Sequence, residues 1–225
     1  MKEGRDFSIV FHINEHFKEM QEEFKSLHSF EDFVNSKPLR KAILFDFFQI
    51  GELFKQLSDS FKNKFEYEFS NDLIGIRNRI AHGYGSIRDD IIYDSILNGL
   101  PDFIDKLNTF AKAFYSQNLM SLLGKKVIVT VDRKINSMHH DIIYELNYGY
   151  IEEMTALDGD SQDAYIINET ELFDVFEGYV VAIIKRLDDV EDKLVVSKTK
   201  DDVNLKDIER QVSFQERFFK HIIIK

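Results

Sequence analysis

The hydrophobic residues of this chain repeat with a helical period in its first part and with an alternating period further on. Before Gly124, apolar side chains recur every three or four residues, beginning with Ile13, Phe17 and Met20, which is the spacing of one face of an α-helix. After Gly124, the segment KVIVTVD alternates apolar and polar side chains, as a half-buried β-strand does. This single change of period predicts a helical part followed by a separate β part.

Helix-start signals divide the helical part into several helices. They stand at Ser29, Pro38, Ser70 and Pro101. Two shorter helices are expected at residues 88–98 and 101–115. Because the loops between these helices are short, we predict an antiparallel helical bundle over residues 1–115.

The part after Gly124 contains further strand patterns separated by acidic turns. They are AYIIN, GYVVAIIK and KLVVS. An amphipathic helix is expected from Leu205 to His221, and the terminal HIIIK is a candidate edge strand. We therefore predict a second domain over residues 125–225, joined to the bundle by a linker at 116–124, so that the fold class is multidomain α + β.

Composition excludes several classes of protein. The chain has 225 residues, of which 44% are hydrophobic, enough to form packed cores rather than a disordered protein. It has no cysteine, which excludes a disulfide scaffold, a cysteine zinc finger and a thiol nucleophile. The net charge of −11 argues against a broad electrostatic attraction to nucleic acid but leaves room for a local basic cleft. With no apolar leader at its start and no long apolar run, the chain is expected to be cytoplasmic, with no membrane partner.

The segment IRNRIAHGY places chemically useful residues close together. Asn78 and His82 are four residues apart and share a helix face, whereas Arg77 and His82 lie about 140° apart around the axis. A symmetric dimer would bring two copies of the segment into one cleft. There His82 could transfer protons and Arg77 could hold a phosphate, chemistry that suits RNA cleavage without a metal. The alternative is a surface histidine beside a helix-capping arginine.

The same segment resembles the motif of the HEPN family, and specifically of HepT-type toxins: arginine, four residues, histidine, one residue, tyrosine. FFQIGELFKQLSDSF and NGLPDFIDKL extend the resemblance, which covers about residues 7–112. The resemblance implies a helical bundle, a homodimer and a metal-independent endoribonuclease of toxin–antitoxin or phage defence systems. Arg77 and His82 would be catalytic, with Asn78 supporting His82. A partner nucleotidyltransferase, acting in trans, would attach AMP to Tyr84.

A second group of residues follows the segment NYGY. Asp158, Asp160 and Asp163 put three carboxylates into six residues between two predicted strands, and hard oxygen ligands at this density suit Mg²⁺. An EF-hand is excluded because Gln162 stands where an aspartate or asparagine is required and Asp163 stands where a glycine is required. A solvated acidic turn remains the alternative.

The string from NYGY to Asp163 resembles the signature of the family I soluble inorganic pyrophosphatases over about residues 124–222. The resemblance implies a small β-barrel with a terminal helix, in which Asp158 and Asp163 bind Mg²⁺ and Asp160 activates the attacking water. It also implies further ligands and phosphate contacts: Asp188 or Asp189 and Glu191 or Asp192 for metal, and Arg133, Tyr144, Tyr148, Lys193 and Lys220 for phosphate. The family's early hairpin has no match between Val127 and Tyr144, and a terminal-helix tyrosine is replaced by Phe219.

Two functional hypotheses follow from these resemblances. In the first, an RNase acting on RNA is coupled to a Mg²⁺-dependent hydrolase of pyrophosphate or of nucleotide phosphoanhydrides. In the second, the acidic domain binds a nucleotide or polyphosphate with little turnover and controls the HEPN dimer. A third reading makes the helical domain only a dimerisation scaffold.

Overall fold

The computed structural model describes residues 4–67, 69–82, 88–200 and 203–225. The chain divides into two compact units, residues 1–112 and 113–225. The first is helical and the second is a β-barrel with a terminal helix, so the predicted division into a helical part and a β part is confirmed.

The first unit is built from helices joined by short loops. They are α1 (Gly4–Lys25), α2 (Phe30–Asn35), α3 (Lys37–Gln56), α4 (Asp59–Lys64), α5 (Phe69–His82), α6 (Asp89–Asp94), a π-helical turn (Ser95–Gly99) and α7 (Leu100–Met120). Helices α1 and α3 run antiparallel, since Arg5 contacts Gln56 at one end and His16 contacts Asp46 further along. The described part of the chain contains no helix with the length and apolarity to cross a lipid bilayer.

Local signals explain where most of these helices begin. The Ser29 hydroxyl accepts a hydrogen bond from the Asp32 amide (3.1 Å), which caps α2, and Pro38 lies in the first turn of α3. Ser70 does not cap α5, because that helix already begins at Phe69. The Ser58 hydroxyl caps α4, a helix that the sequence pattern did not separate from its neighbour.

The helices at the end of this unit are longer and more continuous than predicted. The segments expected at 88–98 and 101–115 form α6, the π-helical turn and α7 without an intervening loop. The expected linker at 116–124 is helical as far as Met120. Since Tyr115 and Leu119 are buried and no glycine or proline interrupts the stretch before Gly124, the helix continues there.

The second unit is a closed five-stranded barrel. Its elements are β1 (Lys126–Arg133), β2 (Met138–His139), β3 (Ile142–Ile143), β4 (Asn147–Thr155), β5 (Ser161–Ile166), β6 (Val175–Arg186), β7 (Lys193–Ser197), α8 (Leu205–Glu216) and β8 (His221–Ile224). The strands follow the order β1-β4-β5-β7-β6, and β6 pairs again with β1. All pairs are antiparallel except β5 with β7. This order is that of the OB-fold, a five-stranded Greek-key barrel.

The barrel is closed by tight backbone contacts and filled by aromatic residues. A Cβ atom on Gly149 would lie 2.0 Å from the Thr130 carbonyl oxygen, so only glycine fits between β1 and β4 there. Tyr148 and Tyr165 pack inside against Phe214 of α8. Helix α8 ends at Glu216 rather than at the expected His221, because HIII pairs with β6 as the edge strand β8.

Candidate functional site

Arg77 lies on α5 at a point where α5 and α3 approach closely. A Cβ atom on Gly51 of α3 would stand 2.6 Å from the Arg77 Cβ atom, so the absence of a side chain there makes room for the arginine. The Arg77 guanidinium forms an ion pair with Glu52 and lies 5.1 Å from the Phe48 ring centroid. Its side chain is only 15% exposed, so Arg77 is held rigidly against α3.

Asn78 and His82 are exposed on one face of α5, and Asn78 links that face to Arg77. The Arg77 Nη1 atom donates a hydrogen bond to the Asn78 side-chain oxygen (2.8 Å). Asn78 in turn precedes His82 by one helical turn, so it lies on the same face of α5 as the imidazole. Tyr84, the fourth residue of the motif, lies outside the described residues.

A cleft of about 640 Å³ opens between α5 and the segment formed by α6 and the π-helical turn. Its lining includes Asn71, Gly75 and Arg79 of α5. One face of α5 carries Asn71, Gly75, Asn78 and His82, which follow one another at spacings of four, three and four residues. The exposed motif residues therefore adjoin a groove that already contains amide, carboxylate and guanidinium groups.

In the barrel, Lys193 brings together three of the acidic residues that the sequence marked. Its ammonium group contacts Asp163 and Glu191, and its side chain is 2% exposed. Asp158 forms a hydrogen bond with Glu191, so the four side chains make one connected group. We call Asp158, Asp163, Glu191 and Lys193 the carboxylate–lysine cluster.

Two carboxyl groups of this cluster, those of Asp158 and Glu191, form a hydrogen bond with each other. Burial, together with the hydrogen bond to Glu191, raises the pKa of Asp158 to about 6. The pKa of Glu191 is lowered despite its burial, because Asp158 and Lys193 both donate hydrogen bonds to it. Below about pH 6 the proton on Asp158 reduces the negative charge of the pair, which limits repulsion in a partly buried site.

Arg133 and two tyrosines extend the cluster on one side. The Arg133 Nη1 atom donates a hydrogen bond to the Tyr144 hydroxyl oxygen (2.9 Å), and the guanidinium lies 5.2 Å from the Tyr148 ring centroid. Burial and the neighbouring Asp163 raise the pKa of Tyr148, so its hydroxyl stays protonated and bonds to that carboxylate. Arg133, Tyr144, Tyr148 and Lys193 therefore lie along one connected path.

The remaining acidic residues are held elsewhere. Asp188 accepts hydrogen bonds from the backbone amide of Lys220. Asp189 accepts a hydrogen bond from the Arg186 guanidinium, whereas the buried Asp192 accepts one from the Arg186 backbone amide. Asp160 is exposed, and its amide donates to Asp158 (3.1 Å). Among the described residues, no three of the carboxylates predicted as metal ligands converge within 4.8 Å. The second acidic run of the sequence comprises Asp188, Asp189, Glu191 and Asp192, and of these Glu191 is the member that joins the cluster.

The sequence patterns missed two charged pairs. The first involves Glu52, the partner of Arg77. Its only sequence signal was the adjacent Gly51, because a glycine inside a helix can mark a place where another helix packs closely. Arg186 and Glu216 form a buried ion pair (Arg186 Nη2 to Glu216 Oε1, 2.7 Å) that joins β6 to α8. Nothing in the local pattern marks that pair, because its members are 30 residues apart in the chain.

Comparisons with known proteins concern the helical unit. Residues 13–110 match the family model described as ribonuclease HepT-like. A protein of Methanocaldococcus jannaschii, named as a candidate RNase, is 27% identical over 105 residues, which cover 47% of this chain and 86% of the relative. Another candidate RNase, of Caldanaerobacter subterraneus subsp. tengcongensis, is 32% identical over 74 residues, or 33% of this chain and 66% of the relative.

No solved structure was found to match the chain. The family match spans α1 from Ile13 through most of α7 and includes the whole of α5, which carries Arg77, Asn78 and His82. Residues 13–110 are therefore a HepT-like (HEPN) ribonuclease domain.

Proposed function

We propose that the helical domain is a metal-independent endoribonuclease of the toxin-like HepT type. The observation that carries this proposal is the arrangement on α5: Asn78 and His82 are exposed on one face, and Arg77, held by Glu52 and Phe48, donates a hydrogen bond to Asn78. The family match and the names of the relatives support the same reaction class.

The chemistry follows from the side chains of the motif. His82 removes the proton of a ribose 2′-hydroxyl, whose oxygen attacks the adjacent phosphorus while the bond to the 5′ oxygen breaks. The leaving oxygen takes a proton from a second imidazole, which leaves a 2′,3′-cyclic phosphate and a free 5′-hydroxyl. Arg77 offsets the negative charge that develops on the phosphate oxygens, and Asn78 orients the imidazole.

A homodimer through the helical domain supplies the second imidazole. His82 lies at the end of α5 and is exposed, so a second copy can approach it without rearranging the core. A twofold axis beside α5 would place two copies of the motif in one cleft. Tyr84 is then the modification site for a nucleotidyltransferase acting in trans, and AMP on that tyrosine would block the cleft.

RNA cleavage that survives a chelator is the expected result for this domain. Purified protein is incubated with total RNA in EDTA, and the products are tested for 2′,3′-cyclic phosphate ends. Cleavage is expected to persist, since imidazole and guanidinium groups require no metal. Cleavage that stops in EDTA and returns with Mg²⁺ would contradict the mechanism.

A second candidate function concerns the barrel, as a hydrolase of pyrophosphate or of a nucleotide phosphoanhydride. The observation that favours it is the path from Arg133 through Tyr148 to Asp163 and Lys193, which combines cations and carboxylates. Arg133 and Lys193 would bind phosphate oxygens, while Asp160 would accept a proton from the attacking water. The alternative is a barrel that binds such a ligand with little turnover and regulates the helical dimer.

The carboxylate–lysine cluster has donors of the type that Mg²⁺ requires. Asp158, Asp163 and Glu191 offer hard carboxylate oxygens, and a bound cation would favour the deprotonated form of Asp158, whose pKa is raised to about 6. When bound, Mg²⁺ would neutralise part of the phosphate charge and lower the pKa of a coordinated water. Asp188, Asp189, Asp192 and Lys220 stand outside this group and would stabilise the loop around it.

Phosphate release from pyrophosphate or a nucleotide panel in Mg²⁺ tests the barrel. Asp160→Asn is expected to lower the rate by about 10²-fold or more, as the loss of a general base does. Glu153→Gln, an exposed change on β4, is the control and should retain the full rate. Binding without phosphate release would favour the regulatory alternative, and full activity of Asp160→Asn would exclude the assigned role.

A further inference from the structure

A cluster of histidine and carboxylate groups lies between α1 and α3, apart from the α5 motif. The His16 Nδ1 atom is 2.9 Å from the Asp46 Oδ1 atom and 3.9 Å from the Glu19 Oε2 atom. Ligand atoms of all three residues lie within 4.8 Å of one another. His16 and Glu19 stand three residues apart on one face of α1, and Asp46 faces them from α3.

These separations resemble those of a metal-binding site. Bonds of about 2.0–2.1 Å from Zn²⁺ to nitrogen and oxygen place the ligand atoms of a tetrahedral site about 3.3 Å apart. The two distances measured from His16 fall on either side of that value. Glu19 is 68% exposed, so its carboxylate can move by the few tenths of an ångström that a metal would require.

The electric charge around His16 is strongly negative. Among the described residues, Glu19, Glu23 and Asp46 form no ion pair with lysine or arginine. One carboxyl oxygen of Glu23 is buried and, within the described chain, has no hydrogen-bond partner. Burial and the charges of Asp46 and Glu19 raise the pKa of Glu23, which stands one helical turn after Glu19 on α1. A single imidazole cannot compensate the two carboxylates of Glu19 and Asp46, whereas a divalent cation can.

We infer that His16, Glu19 and Asp46 bind a divalent first-row transition-metal ion, for which Zn²⁺ is the probe, between α1 and α3. An imidazole nitrogen among carboxylate oxygens favours Zn²⁺ or its neighbours over Mg²⁺, which prefers oxygen ligands alone. The buried Asp46 and the half-buried His16 are already positioned by their hydrogen bond, so little ordering is needed on binding. The ion would fasten α1 to α3 and stabilise the helical unit, independently of the RNA chemistry proposed for α5.

Titration calorimetry with ZnCl₂ tests this site on the full chain without a histidine tag. One equivalent of Zn²⁺ is expected to bind, and excess Zn²⁺ should raise the melting temperature of the protein. Glu19→Gln and His16→Gln are each expected to weaken binding at least tenfold. Because Glu19 is largely exposed, Glu19→Gln retains the fold and keeps the result interpretable. The matched control is His28→Gln, an exposed change just beyond α1.

Each result bears directly on the inference. Loss of binding in the two cluster variants, with full binding in the His28→Gln control, supports it. Absence of a one-to-one Zn²⁺ complex overturns it, and so does binding that is unchanged in Glu19→Gln and His16→Gln, because the ion would then lie elsewhere. Mg²⁺ at the same concentration should produce no shift in melting temperature, and an equal shift would contradict the proposed imidazole ligand.

Discussion

Replacing His82 with alanine is expected to lower the rate of RNA cleavage by about 10²–10⁴-fold, the usual effect of losing a general acid or base. Since the imidazole is exposed at the end of α5, the change should leave the free energy of unfolding within about 0.5 kcal/mol of the parent value. The measurement is the initial rate of RNA cleavage in EDTA, with the melting temperature recorded for each variant.

The matched control is His28→Ala, which removes another exposed imidazole from the helical unit but lies away from α5. It should cleave RNA at the parent rate. If His82→Ala keeps that rate as well, the helical domain is not the nuclease, and the reading in which it serves only for dimerisation becomes the better one.

The largest expected effect on stability comes from Glu216→Ala in the barrel. Glu216 is fully buried and accepts hydrogen bonds from the Tyr165 hydroxyl (2.5 Å) and from Arg186 Nε (3.0 Å) and Nη2 (2.7 Å). Its removal leaves the Arg186 guanidinium, which is 2% exposed, without its main partner. Breaking a buried pair in this way costs about 3–5 kcal/mol. The midpoint of barrel unfolding in urea measures the loss.

Two further variants separate the charge effect from simple loss of packing. Arg210→Gln changes an exposed residue of the same helix, 74% exposed, and should alter stability by less than about 0.5 kcal/mol. The double variant Arg186→Met with Glu216→Leu replaces the pair by apolar groups and should recover part of the lost stability, because no buried guanidinium is left unpaired, although the Tyr165 hydroxyl still loses its acceptor. A double variant as unstable as Glu216→Ala would show that packing, and not the unpaired charge, is the cause.

Local sequence patterns predicted the elements of both units well. The helix-start signals at Ser29 and Pro38 and the alternation in KVIVTVD depend only on residues close together in the chain. The structure has a helix or a strand at each of these places. The patterns were less accurate for the extent of helices. Helix α7 continues to Met120 and α8 stops at Glu216, because burial of α7 residues and pairing of β8 with β6 decide these ends.

The side chains that meet in the barrel site show how contacts between residues far apart in the chain select the members of a site. Three aspartates close together in sequence suggested one ligand group, yet Asp160 is exposed while Asp158 and Asp163 meet Glu191 and Lys193 from other parts of the chain. The parallel pairing of β5 with β7 places Ala164 opposite Leu194, which sets Asp163 beside Lys193. Register between strands is a property of the closed sheet, so the local pattern could not select Glu191 from the second acidic run.

The sequence by itself determined the division into a helical and a β part and the placement of Asn78 and His82 on one helix face, because both follow from periodicity along the chain. Only the tertiary structure decided that Glu52 and Phe48 hold Arg77, that Lys193 joins Asp163 to Glu191, and that His16 meets Asp46. These contacts join residues far apart in sequence, and packing between helices and between strands, rather than local propensity, determines which of them form.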